Sequence, residues 1–231
     1  MNYTLIILGI ILIVVIFMLY NFLANRGKLV TAKIDLTGKG NGTVGYKTLV
    51  NPTSSRYAFS LWVYMDVLNA SGNNTEIINV GLPSTSKFFS LYLDSTSTLF
   101  YSLKGTDGNA SSNVIMTNFS LQKWVYLIVS VDNSVVDLYV DGKLIRSQQL
   151  KLPPMTTTED YQISYGDCAS KPCQGYIAKF ERIPTPMDPV TAWSKYMSGN
   201  GGNYFSKLLS SYGASFSLTK NNLLMQQYTL L

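Results

Sequence analysis

The chain opens with one unbroken apolar run and then changes character. Thr4 to Phe22 reads TLIILGIILIVVIFMLYNF and holds no charged residue. A helix rises ~1.5 Å per residue, so ~20 apolar residues cross the ~30 Å hydrocarbon core of a bilayer. The run is expected to form a single transmembrane α-helix. No Lys or Arg precedes it, and Phe22 two places before Ala24 suits a signal peptidase poorly. A retained anchor is therefore expected, not a cleaved secretory signal. Arg26, Lys28 and Lys33 follow the run, and the positive-inside tendency keeps a flank of this kind, with the bulk of the chain, on the cytosolic side. Six Asn-x-Ser/Thr sequons point the other way: Asn2, Asn41, Asn69, Asn73, Asn109 and Asn118. Such triplets accumulate by chance in a chain rich in Asn, Ser and Thr, so the basic flank decides the expected orientation.

Beyond the run the pattern has period two. Tyr57, Phe59, Leu61 and Val63 alternate with Ala58, Ser60, Trp62 and Tyr64, which predicts a strand with two distinct faces. Shorter strands are expected at Ile77 to Val80, Phe88 to Leu93, Leu99 to Leu103 and Val114 to Thr117. Trp124 to Val131 is apolar on both faces, as a strand inside a two-sheet sandwich would be. Val135 to Val140 and Lys143 to Gln148 flank Asp141-Gly142, a pair suited to the positive φ angles of a tight hairpin. Tyr176 to Arg182 reads as a late strand and Pro189 to Met197 as one short helix.

Composition agrees with a turn-rich β domain: only 13% of residues are charged, and the chain holds 16 Tyr and 17 Gly. The net charge of +5 is spread thinly and is densest beside the apolar run, which suits a lipid surface and no nucleic acid. The expected organisation is a membrane anchor over 1–26, a linker over 27–43, a β-sandwich over 44–198 and a C-terminal extension over 199–231.

Three segments in order, FSLWVY, KWVYLIVSVDNSVVDLYVDGKLI and GYIAKFERIPTPMDPVTAWSKYM, resemble the concanavalin A-like lectin/glucanase superfamily in its laminin-G-like or pentraxin-like form. The positions carrying the likeness are Trp62, Trp124, Asp141, Gly142 and Gly175. The resemblance implies an all-β antiparallel jelly-roll sandwich, a fold that hosts lectins, glycosidases and purely structural modules alike. The whole arrangement resembles membrane-bound proteins of large nucleocytoplasmic DNA viruses: anchor, sandwich, Gly-Asn-Gly at 199–201, then the YGASFSLTKNN tail. That likeness implies a minor capsid protein that joins an internal membrane to the capsid shell, with the bilayer and other capsid proteins as partners.

The chemistry is sparse. The chain has no His, which removes Ser-His and Cys-His nucleophile pairs and the commonest zinc ligand. The only Glu residues, Glu76, Glu159 and Glu181, are far apart, so the spaced carboxylates of a glycosidase are missing. No catalytic residue, cofactor or metal is expected. Asp94, Asp107, Asp132, Asp137 and Asp141 fall near strand ends, where they could serve calcium or simply turns. Trp62 and Trp124 could stack on a sugar, but their period-two placement fits core packing better. A carbohydrate-binding role stays open as the alternative. Cys168 and Cys173 could close a small loop if their Cα atoms approach, although reduced thiols are the cytosolic default. Viruses of the kind resembled encode a thiol oxidase, which would permit the bridge. The tail from Ser198 holds many large apolar side chains and no acidic residue. It is expected to cover its own sandwich, with Ser215 to Thr219 as an added edge strand, and to leave the end from Leu223 to a partner.

Overall fold

The computed structural model describes residues 3–24, 28–30, 33–38, 40–68, 74–82, 85–151, 153–154, 156–166, 168, 173–200, 214–220 and 223–230. Helix α1 spans Tyr3–Ala24. The strands that follow are β1 Lys28–Val30, β2 Ile34–Asp35, β3 Gly40–Val44, β4 Arg56–Val67, β5 Thr75–Leu82, β6 Thr85–Leu93, β7 Leu99–Lys104 and β8 Ala110–Met116. Next come β9 Trp124–Asp132, β10 Val135–Val140, β11 Lys143–Gln149, β12 Tyr161–Tyr165 and β13 Gln174–Ile183. Helix α2 covers Pro189–Met197, and β14 Ala214–Lys220 and β15 Leu223–Leu230 close the chain.

Two antiparallel sheets form the sandwich. One has seven strands in the order β1-β13-β4-β9-β10-β11, with β2 also paired to β13; the other has six, in the order β3-β12-β5-β6-β7-β8. The stretch expected to be a linker thus supplies three short strands. They carry no period-two signal: β1 and β2 are three and two residues long, and β3, GNGTV, holds two glycines and one apolar residue.

The alternation in β4 sorts its side chains between two cores. Tyr57, Phe59, Leu61 and Val63 are buried between the sheets, where Phe59 stacks on Phe89 with ring centroids 4.5 Å apart. Ala58 and Trp62 are buried on the opposite face in a second cluster with Tyr126, Ile128, Tyr139, Ala178, Met187 and Ala192. Strand β9 is divided in the same way: Val125, Leu127, Val129 and Val131 face the sandwich interior, while Tyr126 and Ile128 face outward. An outward face this apolar needs a cover, and the segment leading into α2 provides it. Asp188 caps the helix by accepting hydrogen bonds from the backbone N–H groups of Val190 and Thr191, both at 3.0 Å, and Pro189 occupies the first turn. Tyr139 donates its hydroxyl to the Met187 carbonyl at 2.8 Å, and the Met187 N–H donates to Ser130 Oγ at 2.8 Å. Lys195 Nζ lies 2.6 Å from Glu181 Oε1.

Only one of the two tryptophans takes the core role expected of both, and it does so in the second cluster. Neither lies between the sheets. Trp62 is 6% exposed because Tyr196 of α2 stacks on it at 5.6 Å. Trp124 begins its strand beyond the end of that cover; it is half-buried and meets Tyr64 at 5.6 Å.

The Asp141-Gly142 turn couples hairpin to helix. Both residues have positive φ, 48° and 76°, as a type I′ turn demands. Asp141 accepts a hydrogen bond from the Tyr126 N–H at 2.9 Å and pairs with Lys123 at 3.1 Å. A Cβ on Gly142 would come within 3.1 Å of Trp193 and 3.0 Å of Tyr196. Gly175 serves a different need: a Cβ there would lie 2.5 Å from Met65 Sδ and 2.7 Å from the Tyr64 carbonyl oxygen, so β13 approaches β4 only as glycine. Just before it, Cys168 and Cys173 form a disulfide with Cα atoms 5.0 Å apart. The Cys168 N–H donates to the Leu36 carbonyl at 3.1 Å, and the Leu36 N–H donates to the Gly175 carbonyl at 2.9 Å.

At the other end of β13, Arg182 is buried without a carboxylate beside it. Its guanidinium donates to the carbonyls of Val50, Asn51 and Pro52 at 3.1, 3.1 and 3.2 Å and lies over the Tyr57 ring at 4.9 Å. Burial lowers the pKa of Arg182 and raises that of Tyr57.

Two expectations concern the termini. Among the described residues no helix is long and apolar enough to cross a membrane. At the C-terminus Ser215 to Thr219 does lie in a strand, but β14 pairs with β15 in a separate two-stranded sheet and not with the sandwich edge. The residues from Leu223, left open for a partner, supply that second strand.

Trp62→Ala is expected to cost about 3–5 kcal/mol in urea unfolding, the usual range for a buried Trp, and Trp124→Ala less than half as much. Reducing the Cys168–Cys173 bridge is expected to cost about 2 kcal/mol by the chain-entropy relation for so short a loop, read as a lower unfolding midpoint in dithiothreitol. Arg182→Leu removes a donor from each of three carbonyls, of which Asn51 still accepts from the Ser54 N–H and Pro52 from the Tyr161 hydroxyl, and is expected to cost roughly 1–3 kcal/mol; an unchanged midpoint would refute the role given to that guanidinium.

Candidate binding face

With α2 covering the outer face of the seven-stranded sheet, the outer face of the six-stranded sheet is the broad surface left open. Its inner residues, among them Ile163, Val80, Leu91, Tyr101 and Leu103, are buried in the main core. Their alternates face outward, and the strand register arranges these in three rows. The middle row runs Ser164, Asn79, Ser90, Ser102, Ser112 across β12, β5, β6, β7 and β8. Every member is a small hydroxyl or amide. At ~4.8 Å between strands the row is ~19 Å long. On one side lie Thr43, Gln162, Gly81 and Lys87. On the other lie Glu76, Tyr92, Phe100 and Val114.

Glycine shapes the floor. A Cβ at Gly81, on the outward row, would meet nothing within 4 Å, so this position leaves a depression where another residue would fill it. A groove of about 540 Å³ results, walled by Thr43, Asn79, Lys87, Gln162 and Ser164. Lys87 pairs with Glu76 across its mouth. Asn79 Oδ1 is buried there and has no hydrogen-bond partner among the described residues, an acceptor whose desolvation none of them compensates. Beside the row Tyr92 and Phe100 stack nearly parallel, ring centroids 5.2 Å apart at 6°, and the Tyr92 hydroxyl is hydrogen-bonded to Ser112 Oγ. The face thus offers hydroxyl, amide and ammonium groups along a flat strip, with an aromatic pair at its margin.

None of the fold-motif residues lines this groove. Trp62, Asp141 and Gly142 belong to the α2 side, and Gly175 with the Cys168–Cys173 bridge lies where β13 begins. The groove residues escaped a sequence search because scattered Ser, Thr, Asn and Gly carry no motif; only strand register aligns them. The aspartates considered for calcium are committed locally. Asp94 accepts from the N–H groups of Thr96 and Thr98 at 2.9 and 2.8 Å. Although desolvation pushes its pKa up, those bonds prevail and lower it. Asp107 accepts from Asn109, and Asp132 pairs with Arg56 at 2.9 Å. Asp137 sits on β10, paired in register with Ser130 and Ser147. Among the described residues no three His, Cys, Asp or Glu side chains gather around a point that could hold a metal ion.

Comparison with known proteins supports the fold. The receptor binding domain of the botulinum neurotoxin C/D mosaic serotype superposes with a TM-score of 0.60 at 15% identity, over 75% of this chain and 44% of that one. The botulinum neurotoxin serotype D binding domain gives 0.59 at 16% identity, over 74% and 43%. The serotype D ligand binding domain solved in complex with N-acetylneuraminic acid gives 0.58 at 16% identity, over 75% and 44%. The chain therefore spans less than half the length of these toxin domains, and identities this low speak for the fold alone. No curated protein matches the chain. Residues 37–184 match the laminin G family of concanavalin A-like lectin/glucanase domains, and by that match, on a sandwich whose two sheets and covering helix account for the chain's apolar pattern, the protein belongs to the concanavalin A-like lectin/glucanase superfamily.

Proposed function

We propose that the chain is a membrane-anchored, non-catalytic binding protein, with α1 in a bilayer and the sandwich as its interaction module. The observation that carries this reading is the state of α1. Its large apolar side chains from Ile7 to Tyr20 are 50–68% exposed. The helix as a whole, Tyr3–Ala24, has 22 residues without a charge, about 33 Å of length. A surface of this kind is covered by lipid. In its most specific form the reading is a minor capsid protein, held in the internal membrane of a virion and linking it to the capsid shell; its support is the order of anchor, sandwich and tail in the sequence. The absence of His from the chain and the separation of its three Glu residues support a role without catalysis.

A second reading, carbohydrate binding, is favoured by one feature of the open face: the buried Asn79 Oδ1, unpartnered among the described residues, in a polar groove beside the Tyr92–Phe100 pair. Hydroxyl-rich ligands satisfy such acceptors, and sugar rings lie flat on aromatic faces.

Replacing Ile11 and Val15 together by Asp is expected to abolish resistance to alkaline carbonate extraction, since each central charge costs ~2.5–3.5 kcal/mol on insertion scales. Extraction of the unaltered chain would remove the anchor from the reading, and its absence from purified particles would remove the capsid form. On a glycan array, any ligand found is expected to lose at least tenfold in affinity with Asn79→Ala or Tyr92→Ala. A ligand indifferent to both changes would place sugar binding elsewhere.

A further inference from the structure

We infer that the C-terminal hairpin, β14–β15, docks on the exposed face of α2 in its own chain and completes the outer layer of the seven-stranded sheet. Helix α2 has two apolar sides. Ala192 and Tyr196 face the cluster around Trp62. Val190, Trp193 and Met197, at i, i+3 and i+7, share the other side and are 79%, 46% and 65% exposed. Leu144 and Ile145, just past the Gly142 turn that touches Trp193, are also exposed. An apolar stripe on a nine-residue helix that already buries its opposite side is surplus to the sandwich.

The hairpin has the complementary deficit. Its register pairs Ala214 with Leu230, Phe216 with Tyr228 and Leu218 with Gln226, while Ser215 pairs with Thr229 and Ser217 with Gln227. From Ala214 to Ser217 one alternating set is thus apolar and the other polar, the pattern of a sheet with one buried side; past the register shift at Leu218/Thr219 the pairs Thr219–Leu224 and Lys220–Leu223 are mixed. Two strands alone are marginal in water and need a third element against which to pack. The chain itself selects the occupant. From Asn200, next to the end of α2, only residues 201–213 lead to Ala214, and thirteen residues reach at most ~43 Å. The hairpin is confined near the helix at a high effective concentration that a separate molecule must match.

The test uses the full chain in lipid nanodiscs, on a Trp124→Phe background so that Trp193 dominates the emission exposed to a quencher. Phe216→Ser with Tyr228→Ser is expected to raise the acrylamide quenching constant of Trp193 at least twofold. Reciprocally, Val190→Asp with Met197→Asp should speed amide exchange across Ala214–Leu230 at least tenfold while exchange in β4 and β9 stays unchanged, which separates undocking from loss of the fold. Unchanged quenching in the hairpin variant would overturn the inference. So would protection of Trp193 that appears only as protein concentration rises, since a second copy would then be the occupant. Quenching of Trp193 by brominated lipid would overturn it too, by giving this face to the bilayer.

Discussion

The seven-stranded sheet must be covered on both faces, and most of the architecture answers that demand. Strands β4 and β9 carry large apolar side chains at consecutive positions, so one partner sheet cannot bury them all. The six-stranded sheet takes Tyr57, Phe59, Leu61 and Val63; the returning chain at Met187 to Tyr196 takes Trp62 and Tyr126. Burying these side chains on both faces is worth more than any single polar contact in the domain. The cover nevertheless depends on polar bonds for its placement. Ser130 and Tyr139 hold Met187 at the entry to α2, and Lys195 reaches Glu181, which also accepts a bond from Ser60.

One sheet covered twice and the other once gives the molecule unlike sides. The α2 side is aromatic and sealed by side-chain fit, with Gly142 as the point where turn and helix touch. The opposite side is built of serines, an asparagine and a glycine, and its surface is polar. A binding module and a structural spacer differ in which of these sides carries the partner.

Much of this could be read in the residues themselves. The face assignments in β4, the turn at Asp141-Gly142 and the limits of α2 all follow from patterns of two, of positive φ and of Asp-Pro capping. Trp124 did not follow, because a strand's alternation gives the face of a residue and not how far the layer above it extends. Strands β1 and β2 were hidden by brevity and β3 by its two glycines, whereas β12, YQISY, carries a legible alternation that was missed. The open groove was hidden for a deeper reason: Ser164, Asn79, Ser90, Ser102 and Ser112 come from five strands, and only their lateral alignment makes them a row. For the same reason Ser215 to Thr219 was legible as a strand while its partner was not.

The route by which the chain enters the sandwich also sets how the domain would bear mechanical load. Tension arriving from the N-terminus reaches β1 and β2 first, three and two residues long and paired only with β13. Such short edge strands peel at low force. The load then meets Leu36, fully buried, whose N–H is held by Gly175 and whose carbonyl is held by Cys168. The Cys168–Cys173 bridge ties those two grips together across the loop between them. Under tension the entry would yield a few residues of slack and then meet Leu36, held by hydrogen bonds to two segments that the disulfide keeps side by side.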